Sequence, residues 1–341
     1  MNTLLCDILR FGFFGGDNPV ERRSVDEGMW QRLFEESRKE AVTAFLYDAI
    51  LKLPPQQRPP KKILFHFTSY TSTVETDSRR RECVLKEFLG LVKDTLAVSP
   101  ILVKGISLAQ YYPEPLHREC GDNDLYTGDS TQVISSFFES KGLTVDRKDP
   151  RHDTLSYHEV LFELHHYLLY RNDDIRWTGV SMSLGDGSTL LHLPPEQEAF
   201  FVANHIEYRA TFFNEAVRLR SLLDWSMIVT SKGFDFGELN RIKKGTDVDV
   251  FVDLLTNYCM QQFGLKGLTV PEMPTDMCLT PDDFYRLYIH VPERHPWALV
   301  RVCRRTWKYL CYNRKYHALY GKSMFRRFYF KNLGVAIKQH V

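Results

Sequence analysis

"ILVKGISLAQYYPEPLHRECGDNDLY", residues 101–126, opens on an apolar triplet that ends at Lys104-Gly105 and closes on two aspartates inside a second short run. An apolar triplet stopped by a glycine reads as a strand leading into a turn, and "ISLAQYY" begins a helix before Pro113 and Pro115 stop it. "GDNDLYT" reads as another strand. Alternation along a strand puts Asp122 and Asp124 on one face, roughly 6.6 Å apart at about 3.3 Å per residue. Two carboxylates so placed repel each other unless a cation lies between them. Such pairs hold divalent ions in enzymes that transfer phosphoryl or nucleotidyl groups, magnesium being suited by its preference for carboxylate, phosphate and water oxygens. An acidic surface turn, favoured by Asp, Asn and Gly for backbone reasons, is the alternative.

Outward from that stretch, "DSTQVISSFFESKG" (129–142) has an N-cap candidate in Asp129 or Ser130, a helical stripe of Val133, Ile134, Phe137 and Phe138, and a closing glycine. "LTVDRK" and "YHEVLFELHHYLLY" supply further strands. In the latter Glu163 is flanked by Phe162 and Leu164, which alternation turns the other way, so a charged side chain in an apolar strand needs a partner or a cation. Glu163 is therefore the candidate third carboxylate, with Glu159 and His165 on the same expected face. His166, next along, faces away.

Before this unit, apolar residues from Glu27 to about Lys52 recur at helical spacing. Prolines 54, 55, 59 and 60 interrupt, and a second helical stretch runs from about Lys62 to Val98. After "LHLPPEQEAF" helical patterns return, followed by a Pro-containing connector from about Leu268 to Pro281. The expected fold is α+β: a small mixed β-sheet core over 99–195, a helical N-terminal region over 1–98, and a helical C-terminal region over 196–341.

Composition is that of a globular protein, 43% hydrophobic and 26% charged, with a net charge of +1. No global preference for polyanions follows from that balance. Locally, residues 301–341 carry six Arg and five Lys with no Asp or Glu, interleaved with aromatics. That segment suits a polyanion contact such as RNA, an interfacial membrane stretch, or a terminal helix packed on an acidic body. Seven scattered cysteines without metal-ligand spacing read as reduced thiols, no apolar run approaches roughly 20 residues, and the first residues, without a basic start or a small-residue cleavage pattern, are not expected to act as a signal sequence. The expected location is the cytoplasm.

The ordered set of "ILVKG", "YYPEPLHRECGDNDLY" and "VLFELHH" resembles the polymerase-β-like nucleotidyltransferase superfamily and, more narrowly, its bacterial uncharacterised nucleotidyltransferase family. The likeness runs from about Trp30 to about Val229. It implies an NTP donor, two Mg²⁺ ions on Asp122, Asp124 and Glu163, and an unidentified acceptor: a small molecule, an RNA or a protein. It also implies that Lys104 and Gly105 form the turn beside the triphosphate, that Ser107 adds a hydroxyl there, and that Arg118 contacts phosphate or orients a carboxylate. His165 is expected in a supporting role, with direct ligation as the alternative. His205, Arg218, Arg220 and Asp224 are cleft candidates on the resemblance alone, Arg220 and Asp224 being spaced to pair on one helix face. Two departures stand out. Gly105 is followed by Ile106 and then Ser107 instead of directly by serine or glycine, and Asn123 is polar where an apolar residue is common. A silent nucleotidyltransferase fold that binds nucleotide or nucleic acid is the alternative function.

Overall fold

The computed structural model describes residues 3–21, 23–169, 175–212, 215–246, 248–268 and 284–289. Four helices come first: α1 (Thr3–Phe14), α2 (Glu27–Glu40), α3 (Thr43–Leu51) and the long α4 (Lys61–Leu96). The periodicity that suggested one helix from Glu27 to Lys52 is broken at Ala41, whose left-handed backbone (φ 54°) closes α2. Alanine is a strong helix former, so the break is imposed by packing. The buried Ser37 hydroxyl bonds the Phe34 carbonyl (2.8 Å) and the Thr43 hydroxyl (3.1 Å), tying the two helix ends together.

The central unit follows as β1 (Ile101–Val103), α5 (Gly105–Ala109), β2 (Asp122–Tyr126), α6 (Thr131–Ser140), β3 (Val145–Asp146), β4 (His152–Tyr157), β5 (Val160–His165), β6 (Val180–Ser183) and β7 (Thr189–His192). Helices α7 (Pro195–Phe212), α8 (Leu219–Val229), α9 (Phe236–Lys243) and α10 (Asp249–Phe263) complete it. Seven strands form one sheet in the order β3-β4-β5-β2-β1-β7-β6. β2–β5 and β1–β7 are parallel and the remaining pairs antiparallel, so the sheet is mixed. The expected α+β architecture is what forms, but β4, β6 and β7 were not foreseen. Of the α6 stripe only Ile134 and Phe138 are buried. Val133 is 54% exposed, and Ser130 holds the cap position without a side-chain capping bond.

Alternation divides the core. On one face Phe88 of α4 stacks on Phe162 (4.0 Å) and Phe138 (4.5 Å), with Leu102, Leu125 and Leu164 beside them. Stacking of this kind adds about 0.5–1.5 kcal/mol per pair to the burial itself. On the other face Val103 and Leu108 join a larger cluster built from α1–α4, α7, α8 and α10. Val103 lies directly across from Asp124, so the carboxylates belong to this second face, where the helices leave a cleft. The basic segment 301–341 and the connector beyond Leu268 lie outside the described residues.

Candidate active site

β2 and β5 run parallel with Asp124 in register with Glu163. Neighbouring strands lie about 4.8 Å apart, so this register puts Glu163 beside Asp124 and one residue pair from Asp122, all on one face. The three expected carboxylates therefore line one cleft of about 320 Å³. Burial, and then the charges of Asp124 and Glu163, raise the pKa of Asp122 above the usual carboxylate value. Asp124 is the deeper of the pair, 2% exposed. Burial works to raise its pKa too, but Lys104 Nζ at 3.3 Å and His165 Nε2 at 2.9 Å, both against Oδ1, outweigh burial and hold the group below its ordinary value.

Lys104 owes its reach to an uncommon backbone. It has φ 52° and Gly105 has φ 47°, two successive residues in the left-handed half of the map. A β-carbon on Gly105 would stand 3.4 Å from the Asp122 carbonyl oxygen, so the turn is pressed against the aspartate strand. Arg118 holds that turn from behind. Its Nη1 donates to the Gly105 carbonyl (3.0 Å), while Nε and Nη2 donate to the two oxygens of Asp224 (2.9 and 2.8 Å). Tyr112, stacked on Phe45 at 4.1 Å, donates its hydroxyl to the same carboxylate at 2.8 Å. The carboxylate that Arg118 holds is Asp224, not one of the three candidate ligands. Asp224 is thereby taken, and the expected Arg220–Asp224 pair is replaced by a bond from Arg220 to the Glu119 carbonyl (3.1 Å).

Ser107 sits apart from the carboxylates. Fully buried, it donates to Glu198 Oε2 (2.8 Å) and lies 3.4 Å from His192 Nδ1, which ties α5 to α7 beneath the turn. Glu159 falls in the β4–β5 turn, its side chain 94% exposed, and does not share the strand face expected for it. His166 turns away and meets Asp153 (3.4 Å), as alternation requires. His165 supports Asp124, as expected. Burial lowers its pKa, but the bonds to Asp124 and Glu163 prevail and raise it. His205, Arg218 and Arg220 do line the cleft. Burial and then the Lys104 charge press the His205 ring well below the ordinary imidazole value.

Among the lining residues not singled out in the sequence, alongside Arg151 and Arg209, is one histidine. His152 lies directly across β4–β5 from His165. It was missed because "HDTLSY" carries polar residues at four of its six positions and was not read as a strand. Three carboxylates against one ammonium and flanking imidazoles form an oxygen-rich donor set with uncompensated repulsion, which suits divalent cations. No described helix is long and apolar enough to cross a membrane.

No curated protein matches the chain. A family model described as uncharacterised nucleotidyltransferase matches residues 26–264, beyond the limit expected near Val229 and through α9 and α10. With that match over most of its length and three carboxylates brought to one cleft, the chain belongs to the uncharacterised nucleotidyltransferase family, a family of transferases that move nucleotidyl groups.

Proposed function

We propose that the protein is a cytoplasmic, magnesium-dependent nucleotidyltransferase that moves an NMP from an NTP to an acceptor hydroxyl with release of pyrophosphate. The in-register pairing of Asp124 with Glu163, with Asp122 two residues back on the same face, is the observation that carries the reading. Asp122, Asp124 and Glu163 would hold two Mg²⁺ ions. When bound, these supply charge neutralisation for the triphosphate and activation of the acceptor oxygen.

The chain's own groups do the positioning. Lys104 reaches the phosphates from its place beside Asp124. Gly105, lacking a side chain, lets them approach the backbone. Arg118 keeps the turn fixed through the Gly105 carbonyl, so little reorganisation is needed when charge shifts. Ser107 acts from below by anchoring α5 to Glu198. The acceptor oxygen attacks the α-phosphorus, the α–β bridging bond breaks, and pyrophosphate departs. Arg218 and Arg220 on the cleft wall add positive charge facing the same space.

Thermal stability with each of the four NTPs, with and without Mg²⁺, tests the reading on wild type and on the Asp122→Ala/Asp124→Ala double variant. A ligand that binds only the folded state raises apparent stability. The expected outcome is a Mg²⁺-dependent rise with at least one NTP that the double variant lacks. Absence of any shift in the wild type would instead favour a fold that has lost its nucleotide.

A further inference from the structure

His152 of β4 and His165 of β5 stand on facing positions of neighbouring strands, with Glu163 two residues before His165 on the same face. Their polar atoms converge on one point. His152 Nε2 lies 3.7 Å from Glu163 Oε1, and His165 Nε2 lies 3.4 Å from Glu163 Oε2. One ligand atom from each of the three falls within 4.8 Å of those of the other two. The His165–Glu163 contact is a long hydrogen bond, whereas the His152–Glu163 contact is too long to be one. The His152 ring makes no hydrogen bond to any described residue, and its buried Nδ1 meets Asp149 Oδ1 only at 3.9 Å, too far for one. Two imidazoles are thus held toward one carboxylate, and the one long hydrogen bond among the three does not account for the position of His152.

Cation coordination does account for it. Donor atoms at about 2.0–2.1 Å from a metal stand about 3.0–3.4 Å from one another; the His165–Glu163 separation of 3.4 Å fits that range, the His152–Glu163 separation of 3.7 Å lies just beyond it, and the three atoms, all within 4.8 Å of one another, have to draw in to close on an ion. The donor types select the metal. Magnesium prefers oxygen and keeps its waters, whereas imidazole nitrogen suits the later first-row divalent ions, and two imidazoles with one carboxylate form a recurrent set for them. All three residues line the open cleft, so an ion has a path in.

We propose that His152, Glu163 and His165 form a binding site for a divalent transition cation of the manganese, cobalt or zinc class, beside the positions of Asp122 and Asp124. The inference rests on the nucleotidyltransferase reading only in that both use Glu163. His165 Nε2 also bonds Asp124 Oδ1 at 2.9 Å, so occupancy at that nitrogen breaks the bond and leaves the oxygen to Lys104 Nζ at 3.3 Å. Loading the site therefore changes the aspartate pair without touching it directly.

Cobalt(II) is the probe, because imidazole ligation gives it visible ligand-field absorbance. Titrated into the metal-free full chain, Co²⁺ is expected to produce a band that saturates near one equivalent, is displaced by Zn²⁺, and resists about a hundredfold excess of Mg²⁺. X-ray absorption on the same wild-type sample should show two imidazoles on the cobalt. His152→Ala should weaken Co²⁺ binding at least tenfold, on the order expected for altered ligand shells. No band, displacement by equimolar Mg²⁺, or a cobalt shell without imidazole overturns the proposal. The Mg²⁺–NTP thermal shift of the same wild-type protein separates the two readings. If that shift is present and the cobalt band absent, this inference alone fails; if the band is present and the shift absent, only the nucleotide reading fails.

Discussion

At the scale of single residues, the site is a set of opposed charges held in place by neutral and positive neighbours. Asp122 is its least comfortable member: burial, Asp124 and Glu163 all disfavour its charge, and only Lys104 and a backbone bond offset them. Removing that charge relieves the metal-free protein while removing a proposed ligand, the trade between stability and activity expected if the site is catalytic. Asp122→Asn is accordingly expected to raise the melting temperature of the metal-free protein by about 2 °C, a gain of the size single substitutions give in a chain of this length. The same variant should lower nucleotidyl transfer by at least about a hundredfold, comparable with losing one charge-stabilising group. Calorimetry and single-turnover assays read the two effects, and a variant that is both less stable and fully active would contradict the assignment. Gly105→Ala is the complementary change. At φ 47° an alanine is strained, and its β-carbon meets the Asp122 carbonyl at 3.4 Å. A cost of about 1 kcal/mol in urea unfolding is expected from the backbone alone, together with weaker NTP binding as the turn shifts.

Among elements, the segment between α5 and β2 is the joint that sets the site, and two adjacent residues pin it. Arg118 fastens it to α8 through Asp224. His117, 8% exposed, fastens it to α3 and α4: its Nδ1 contacts both oxygens of Asp48 (2.9 and 2.8 Å) and its Nε2 meets Glu75 (3.0 Å). Burial alone would lower the histidine's pKa, but the bonds to Asp48 and Glu75 push it up to about 9. A raised pKa means that the folded state binds the proton more tightly than the unfolded chain. The clamp's stabilisation is therefore complete below the unfolded value near 6.5 and is lost as pH climbs through about 9. Unfolding free energy measured from pH 6 to pH 10 should fall by up to about 3 kcal/mol, and His117→Gln should flatten that slope. An unchanged slope in the variant would remove His117 as the cause. Elements also explain what the sequence disclosed. Lys104-Gly105 and Asp122-Asn123-Asp124 carry their own punctuation, a glycine turn and a bounded alternating run, so β1 and β2 were legible. The parallel pairing of β7 with β1 is non-local, and nothing near residues 189–192 announces it. Ser107 likewise could not be placed without Glu198, a residue 91 positions later.

For the whole molecule, the sheet was legible in part and the way the helices close over it was not, because shared burial leaves no local mark. α1 shows this most clearly. It lies outside the family match, and the sequence places it only within a helical region over 1–98, yet Leu4, Leu5, Ile8 and Leu9 are all buried in the cluster that also holds α3, α8 and α10. Contact is so close that a β-carbon on Gly12 would stand 2.4 Å from the Ala49 β-carbon, so no larger residue fits without separating α1 from α3. Phe14 packs at 5.5 Å from Phe263 at the end of α10, joining the first helix to the last part of the family match. Burying four such aliphatic side chains contributes several kcal/mol at roughly 1.5–3 kcal/mol each, a large share of the about 5–15 kcal/mol that keeps a domain folded. α1 is thus part of the fold that presents the cleft. Deleting residues 1–16 from the otherwise full chain should abolish a single cooperative melt or lower it by more than about 10 °C. Gly12→Val in the intact chain should reproduce part of that loss by forcing the helices apart, at a cost of about 1–3 kcal/mol. Should the truncated chain melt within a degree or two of the intact one, α1 would be an appendage and the core would close without it.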